Sequence, residues 1–243
     1  MSGEQPEGAR GPYVGRRALV HLGLAALVAL PLAARAHHNA EHEGGPETAP
    51  PQPGAGDVHI LAFGDSLTAG FGLPRRQGFA PQLQAYLRRQ GVRAHVTNGG
   101  VSGDTAAQGR QRLDFTLSGM AVKPRLAIVA LGANDMLRGM DPAQTKADLD
   151  AILTELKRRD IRILLSGMVA APNLGEDYAA RFNAIYPDLA ARHGAVLHPF
   201  FLDGVAGDRT LNQPDGLHPT FAGIRKMVMG IAPKVMEALG AGQ

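Results

Sequence analysis

Four short polar blocks carry the residue types from which a reactive site could be built. "FGDSLTAGFGL" at 63–73 delivers one serine, Ser66, into a glycine-rich corner. "VSGDT" at 101–105 carries Gly103, "GAND" at 132–135 carries Asn134, and "DGLHPT" at 215–220 carries Asp215 and His218. A serine hydroxyl is a weak nucleophile until a neighbouring base takes its proton. Imidazole, which titrates near neutral pH, suits that role, and a carboxylate three residues before it can fix its tautomer and orientation. Attack on an ester carbonyl loads negative charge onto the carbonyl oxygen, and each donor aimed at that oxygen is worth roughly a hundred- to a thousandfold in rate. The backbone N–H groups of Ser66 and Gly103 and the side-chain amide of Asn134 are the candidate donors. Taken singly, each block has a plainer reading: Gly-Asp-Ser is a common turn, Ser66 a helix cap, Gly103 a turn glycine, and Asn134 a local turn former. Together, and in this order, they point to acyl transfer with Ser66, Asp215 and His218 as the catalytic set. Asp65 and Asp135 read as local hydrogen-bonding residues, and Asn98 as structural.

The elements that must position these blocks follow from periodicity. "VHILAF" (58–63), "AHVTN" (94–98), "RLAIVAL" (125–131), "IRILLSGMV" (161–169) and "AVLHPF" (195–200) read as strands, most of them continuous apolar runs of the kind buried on both faces. Between them, Phe79, Leu83, Tyr86 and Leu87 recur at helical spacing and Gly91 stops the pattern. A second helix is expected to begin near Asp104 or Thr105. Asp141-Pro142 is a cap with a first-turn proline, and Leu149, Ile152, Leu153 and Leu156 make one stripe behind it. Tyr178, Phe182, Ile185 and Leu189 form another helical face, expected to be disturbed at Pro187 and ended by Gly194. The last helix is expected from Pro219 to Leu239. Strands alternating with helices imply a three-layer α/β/α sandwich around a mostly parallel sheet, and in such sheets sites form past the carboxyl ends of the strands. All four polar blocks fall there.

These blocks resemble the GDSL, or SGNH, hydrolase family. "GDSLTAG", "VSGDT", "GAND" and "DGLHP" occur in family order, and the resemblance covers residues 58 to 239. It is nearest to the branch of arylesterases and of acyl-CoA thioesterase/lysophospholipase-type enzymes, which "AIYPDLAARHG" and "PFFLDGVAG" also resemble. The resemblance implies a flavodoxin-like fold without metal or cofactor. It implies Ser66 as nucleophile, an oxyanion hole of Ser66, Gly103 and Asn134, and a triad completed by Asp215 and His218. The third block reads Gly-Ala-Asn-Asp where many relatives have Gly-Gly-Asn-Asp; Ala133 is expected to bear on the local turn and not on catalysis. The activity implied is hydrolysis of aryl or short- to medium-chain acyl esters, thioesters or lysophospholipids through an acyl-enzyme. A carbohydrate O-deacetylase with the same catalytic set, and an extracytoplasmic binding protein that kept the fold and lost the chemistry, are the alternatives. Leu67, Phe71 and the segment 170–178 are expected to line an acyl groove.

The remaining signals bound the setting. "GRR" at 15–17, the apolar "ALVHLGLAALVALPL" and "ARA" at 34–36 read as an export signal over 1–36, compatible with the twin-arginine type, with an uncleaved anchor as the other reading. Residues 37–56 read as a Pro/Gly-rich linker whose His37, His38 and His42 have no fixed geometry for a metal. The hydrolase domain is expected over 57–243 and the location as periplasmic or secreted. Without the first 36 residues the chain carries 21 basic and 20 acidic side chains, so the high overall pI argues for no nucleic-acid partner. An ester of small-molecule or lipid type, met in the second case by transient contact with a membrane surface, is the expected partner. The absence of cysteine excludes disulfides, zinc-thiolate sites and a thiol nucleophile. No Gly-x-Ser-x-Gly, Walker A or His-Glu-x-x-His sequence is present. His59, His95, His193 and His198 read as structural, and Met227, Met229 and Met236 as core.

Overall fold

The protein was analysed as a computed structural model, which describes Gly54 and residues 56–240. The expected export signal and nearly all of the expected linker lie outside the described residues.

Five parallel strands form one sheet in the order β2-β1-β3-β4-β5: β1 is Val58–Gly64, β2 Ala94–Gly100, β3 Leu126–Ala130, β4 Arg162–Ser166 and β5 Val196–His198. Each crossover is too long for a hairpin and carries a helix, as parallel pairing requires. After the short α1 (Ser66–Ala69), α2 (Phe79–Arg89) returns the chain to β2. Helix α3 (Ala106–Ser118) leads to β3, and α4 (Ala133–Leu137) with α5 (Pro142–Arg158) leads to β4. Helices α6 (Glu176–Asn183) and α7 (Ile185–His193) lead to β5, and α8 (Phe221–Leu239) closes the chain. Helices α2 and α8 pack on each other over one face, and α3, α5 and α7 cover the opposite face. Both faces of β1 are therefore covered, and Ile60, Leu61, Ala62 and Phe63 are each 0% exposed. The expected α/β sandwich is the observed one.

The strand order places a topological switch at β1. The chain leaves β1 toward β2 on one side and returns to β3 on the other, which opens a crevice at the carboxyl ends of these strands. Register makes those ends level: Gly64 is paired with both Gly100 and Ala130.

Local chemistry explains the boundaries and corrects some expectations. Thr105 caps α3 with a full capping box, its hydroxyl accepting from the Gln108 N–H and the Gln108 side chain accepting from the Thr105 N–H. The helical face from Tyr178 to Leu189 is broken at Ala184, ahead of Pro187. Pro187 sits in the first turn of α7, where a missing N–H leaves no helical bond unmade. Pro219 does not start α8; it bridges to Asn212, and Thr220 caps the helix with its hydroxyl on the Gly223 N–H. Met229 is exposed instead of core, whereas Met227 is buried and Met236 packs half-buried against the core. His198 is buried against the Ser166 hydroxyl, and His193 meets Asp150. The rings of His59 and His95 face each other on β1 and β2, with centroids 5.4 Å apart. None of the four reaches the site described below.

The end of β2 is packed against α1 with no room for a side chain. A Cβ on Gly100 would lie 2.3 Å from the Ala69 nitrogen and 2.8 Å from its Cα, both backbone atoms that cannot swing aside. Gly100→Ala is expected to destabilise the domain by about 1–3 kcal/mol and to shift α1. Urea unfolding checks this; a variant as stable as the wild type would show that α1 is loosely held.

Candidate active site

Ser66 is the first residue of α1, one turn long between Asp65 and Gly70. The Asp65 carboxylate accepts the Leu67 N–H at 3.0 Å and so caps the turn. Gly70, at φ 82°, ends it in the left-handed region that suits glycine. The turn is tied to β2 by Asn98, whose amide donates to the Ala69 carbonyl while its oxygen accepts the Gly100 N–H.

The loop before α8 brings a histidine to that turn. Ser66 Oγ lies 2.9 Å from His218 Nε2, across 152 positions of sequence, and His218 Nδ1 lies 2.7 Å from Asp215 Oδ2. With the carboxylate on Nδ1 the proton belongs on that nitrogen, which leaves Nε2 free to accept from the serine. Asp215 Oδ1 also accepts the backbone N–H groups of Leu217 and His218. The His218 backbone donor first, then the His218 side chain and the Leu217 N–H, hold the Asp215 carboxyl down at about 2. It is ionised throughout the range in which ester hydrolysis is ordinarily measured, so the acid limb of a pH–rate profile belongs to another group.

A residue unmarked in the sequence fastens this loop. Gln213 Nε2 donates to the carbonyls of Phe71 and Pro219, and the Gln213 N–H donates to the His218 carbonyl. One amide thus links the segment after α1 to both sides of His218. The Phe71 ring lies 4.5 Å from the imidazole, centroid to centroid. The detectable signal was position alone, since Gln213 stands two residues before Asp215. Phe71 is exposed, as a groove-lining residue needs to be, but Leu67 is only 6% exposed and belongs to the core. Its side chain points away from solvent because α1 buries that face.

Gly103 and Asn134 meet through Asp104, the residue that follows Gly103. Asn134 Nδ2 donates to the Asp104 carbonyl at 3.0 Å and lies 3.5 Å from Asp65 Oδ2, next door to Ser66. Gly103 has φ 86°, a conformation most side chains resist, and its carbonyl accepts from Arg138 Nη2 at 2.9 Å. The turn into α4 uses Gly132 at φ 108°, where a Cβ would lie 2.3 Å from the Tyr186 hydroxyl. Ala133 begins α4 with no positive φ, so the departure from Gly-Gly-Asn-Asp costs no backbone strain. Asp135 is fully buried and accepts from the Ala106 N–H and the Thr145 hydroxyl, a hydrogen-bonding role that is not local as expected but ties the start of α3 to α4 and α5. Among the described residues no group of three or more His, Asp or Glu side chains could hold a metal ion.

Asp65 stands opposite to Asp215 electrostatically. Burial, the largest cause, pushes its carboxyl up to about 7, helped by Asp104 and Asp135 and opposed by the Leu67 N–H and His218. The folded state therefore holds this proton more tightly than the unfolded chain, whose value is 3.8. The stability due to this group is present below about pH 4, declines as pH rises toward about 7, and stays lost above it. Asp65→Asn removes that decline: the melting temperature of the variant relative to wild type is expected to rise from pH 5 to about pH 7 and to level off above it. A pH-independent difference would contradict the assignment.

Similarity to known proteins agrees with this geometry. The sequence matches the GDSL-like Lipase/Acylhydrolase family over residues 62–226. It is 37% identical to "Esterase TesA" of Pseudomonas aeruginosa over 180 residues, 74% of this chain and 89% of that protein. It is 35% identical to an "Arylesterase" of Vibrio mimicus over 66% of this chain and 79% of that protein. Among solved structures it is similar to AlinE4, described as an SGNH-hydrolase family esterase, with 49% identity, a TM-score of 0.65, and coverage of 75% of this chain and 97% of the other. From a five-stranded sheet whose central ends gather a serine, a histidine and an aspartate, and from a match spanning most of the domain, the chain belongs to the GDSL-like lipase/acylhydrolase family.

Proposed function

We propose that the domain is a serine esterase in which Ser66 is the nucleophile, His218 the general base and acid, and Asp215 the group that orients the imidazole. The observation that carries this reading is the continuous hydrogen-bonded line from Ser66 Oγ through both nitrogens of His218 to Asp215. His218 Nε2 takes the serine proton as Oγ attacks the ester carbonyl. The resulting oxyanion is received by the N–H groups of Ser66 and Gly103 and by the Asn134 amide. Of the two Asn134 contacts, the one to Asp65 at 3.5 Å is at the outer limit of a hydrogen bond, so that N–H is the one available to substrate. Collapse of the tetrahedral adduct breaks the C–O bond, His218 protonates the departing alcohol, and the acyl group stays on Ser66. Water, deprotonated by the same imidazole, then releases the acid.

The surroundings of His218 support an apolar acyl or aryl group as the substrate's recognised part. Phe71 and Leu217, both 50% exposed, flank the imidazole in space and in sequence. Aryl esters and short- to medium-chain acyl esters are the class this favours over acetylated sugars. Export to the periplasm or medium is supported by the Arg16-Arg17 pair, the apolar run after it and the Ala34-x-Ala36 site. Among the described residues, no helix is long and apolar enough to cross a membrane.

A panel of p-nitrophenyl esters of graded chain length, run beside acetylated sugars, tests the reading. Ser66→Ala is expected to lose the activity by at least about a thousandfold and to lose labelling by a fluorophosphonate. Equal labelling of the mutant, or activity confined to the sugars, overturns it. Asn134→Ala is expected to lower kcat by about a hundredfold with the fold intact by circular dichroism; an unchanged kcat removes Asn134 from the oxyanion hole.

A further inference from the structure

Helix α3 sends one half-buried cation back toward the site. Arg112 Nη2 donates to the Gly64 carbonyl at 2.9 Å, and Gly64 ends β1 two residues before Ser66. Arg112 Nε donates to the Asp104 carboxylate at 2.5 Å, and Asp104 directly follows Gly103. The guanidinium lies over the Phe63 ring, 4.2 Å from its centroid, and Nη1 reaches the Thr116 hydroxyl at 3.4 Å. The ion pair is largely withdrawn from water, with side-chain exposures of 19% for Arg112 and 9% for Asp104.

We propose that Arg112 is a positioning residue for ester hydrolysis: its guanidinium, fixed between the end of β1 and Asp104, sets the spacing of the Ser66 and Gly103 N–H groups that receive the oxyanion. The proposal rests on the esterase reading above. It follows from how the Gly103 loop is held. On the far side, Arg138 grips the Gly103 carbonyl, Asn134 the Asp104 carbonyl and Asp135 the Ala106 N–H, and all three belong to the α4 segment. These bonds fix the loop against β3. Of the three only Asn134 also touches the nucleophile turn, through a contact to Asp65 Oδ2 that at 3.5 Å is at the outer limit of a hydrogen bond. On the near side the Val101 N–H reaches the Gly64 carbonyl before the loop begins to turn, and Arg112 reaches the same carbonyl from beyond Gly103. The loop is thereby spanned at both ends from one oxygen of β1.

The chemistry of the side chain fits the task. A planar fork with several donors at fixed angles holds two acceptors at a set separation, which a lysine ammonium on a flexible stem does not. A buried ion pair adds little to stability beyond what a packed apolar pair supplies, because both charges must be desolvated. Geometry is the benefit left to account for it. Donors placed ahead of the reaction matter most where charge develops, and misplacement by about 1 Å is enough to cost on the order of a hundredfold.

The test uses the whole protein carrying Arg112→Met, which keeps a stem over Phe63, Arg112→Lys, or Asp104→Asn. Each is assayed for kcat and KM on p-nitrophenyl butyrate, for the rate of fluorophosphonate labelling, and for urea unfolding. Expected for both Arg112 variants is a kcat lowered by about ten- to a hundredfold, KM within about twofold, and labelling slowed by the same factor as kcat. Asp104→Asn is expected to change the same quantities in the same direction by a smaller factor. A folded Arg112→Lys or Asp104→Asn enzyme with kcat within about twofold of wild type, whatever its unfolding midpoint, overturns the proposal. So does failure of all three to fold, since the side chain then serves the fold alone. A wild type that hydrolyses no ester and takes no label fails the esterase reading itself, whereas an active wild type beside fully active variants fails Arg112 only.

Discussion

The hydrogen bond between Ser66 and His218 joins the first strand of the domain to the loop before its last helix, and much of the structure serves to hold its two ends in place. The serine end is rigid because α1 is pressed onto Gly100 and capped by Asp65. The histidine end is rigid because Gln213 and Asp215 bond the loop to itself and to the Phe71 segment. Neither end would lie near the other without the level register of β1, β2 and β3. A parallel sheet makes that register expensive to alter, since slipping one strand by one residue reverses every side chain on it.

Two aspartates near Ser66 hold opposite charge states for reasons visible in their partners. Asp215 lies on the surface, accepts three hydrogen bonds, and stays ionised to about 2. Asp65 is buried, accepts few, and rises to about 7. The first suits a group that must keep an imidazole in one tautomer. The second leaves a carboxyl beside the proposed nucleophile that is about half protonated near pH 7, which on average spares a developing oxyanion a full negative neighbour.

The fold was legible in the sequence because buried parallel strands leave largely apolar runs, as β1, β3 and β4 do, while the partly buried β2 and β5 were found from shorter mixed segments between helices. Boundaries were less legible where capping decided them. Thr105 was within reach from its spacing to Gln108, but Thr220 was masked by the stronger punctuation of Pro219, and Ala184 carries no breaking chemistry of its own. The candidate site was legible where side chains would carry the proposed chemistry, so Ser66, Asp215 and His218 stood out as types and as neighbours of strand ends. Gln213, Arg138 and Arg112 did not. Their partners are mostly backbone carbonyls, and a carbonyl leaves no trace in residue type. Leu67 shows the opposite failure: an apolar residue beside a reactive one reads as lining, while helix phase turns it inward.

The Asp215–His218 loop is largely a self-contained structural unit. Its acid and base are three residues apart, and the acid is oriented by N–H groups of the same short turn. An acid–imidazole pair that carries much of its own scaffold depends on the rest of the domain, the Gln213 bond to the Phe71 segment included, for where the turn is set down. A change in a strand, a helix or a groove wall that leaves the turn in its place therefore leaves the geometry between the two side chains as it is.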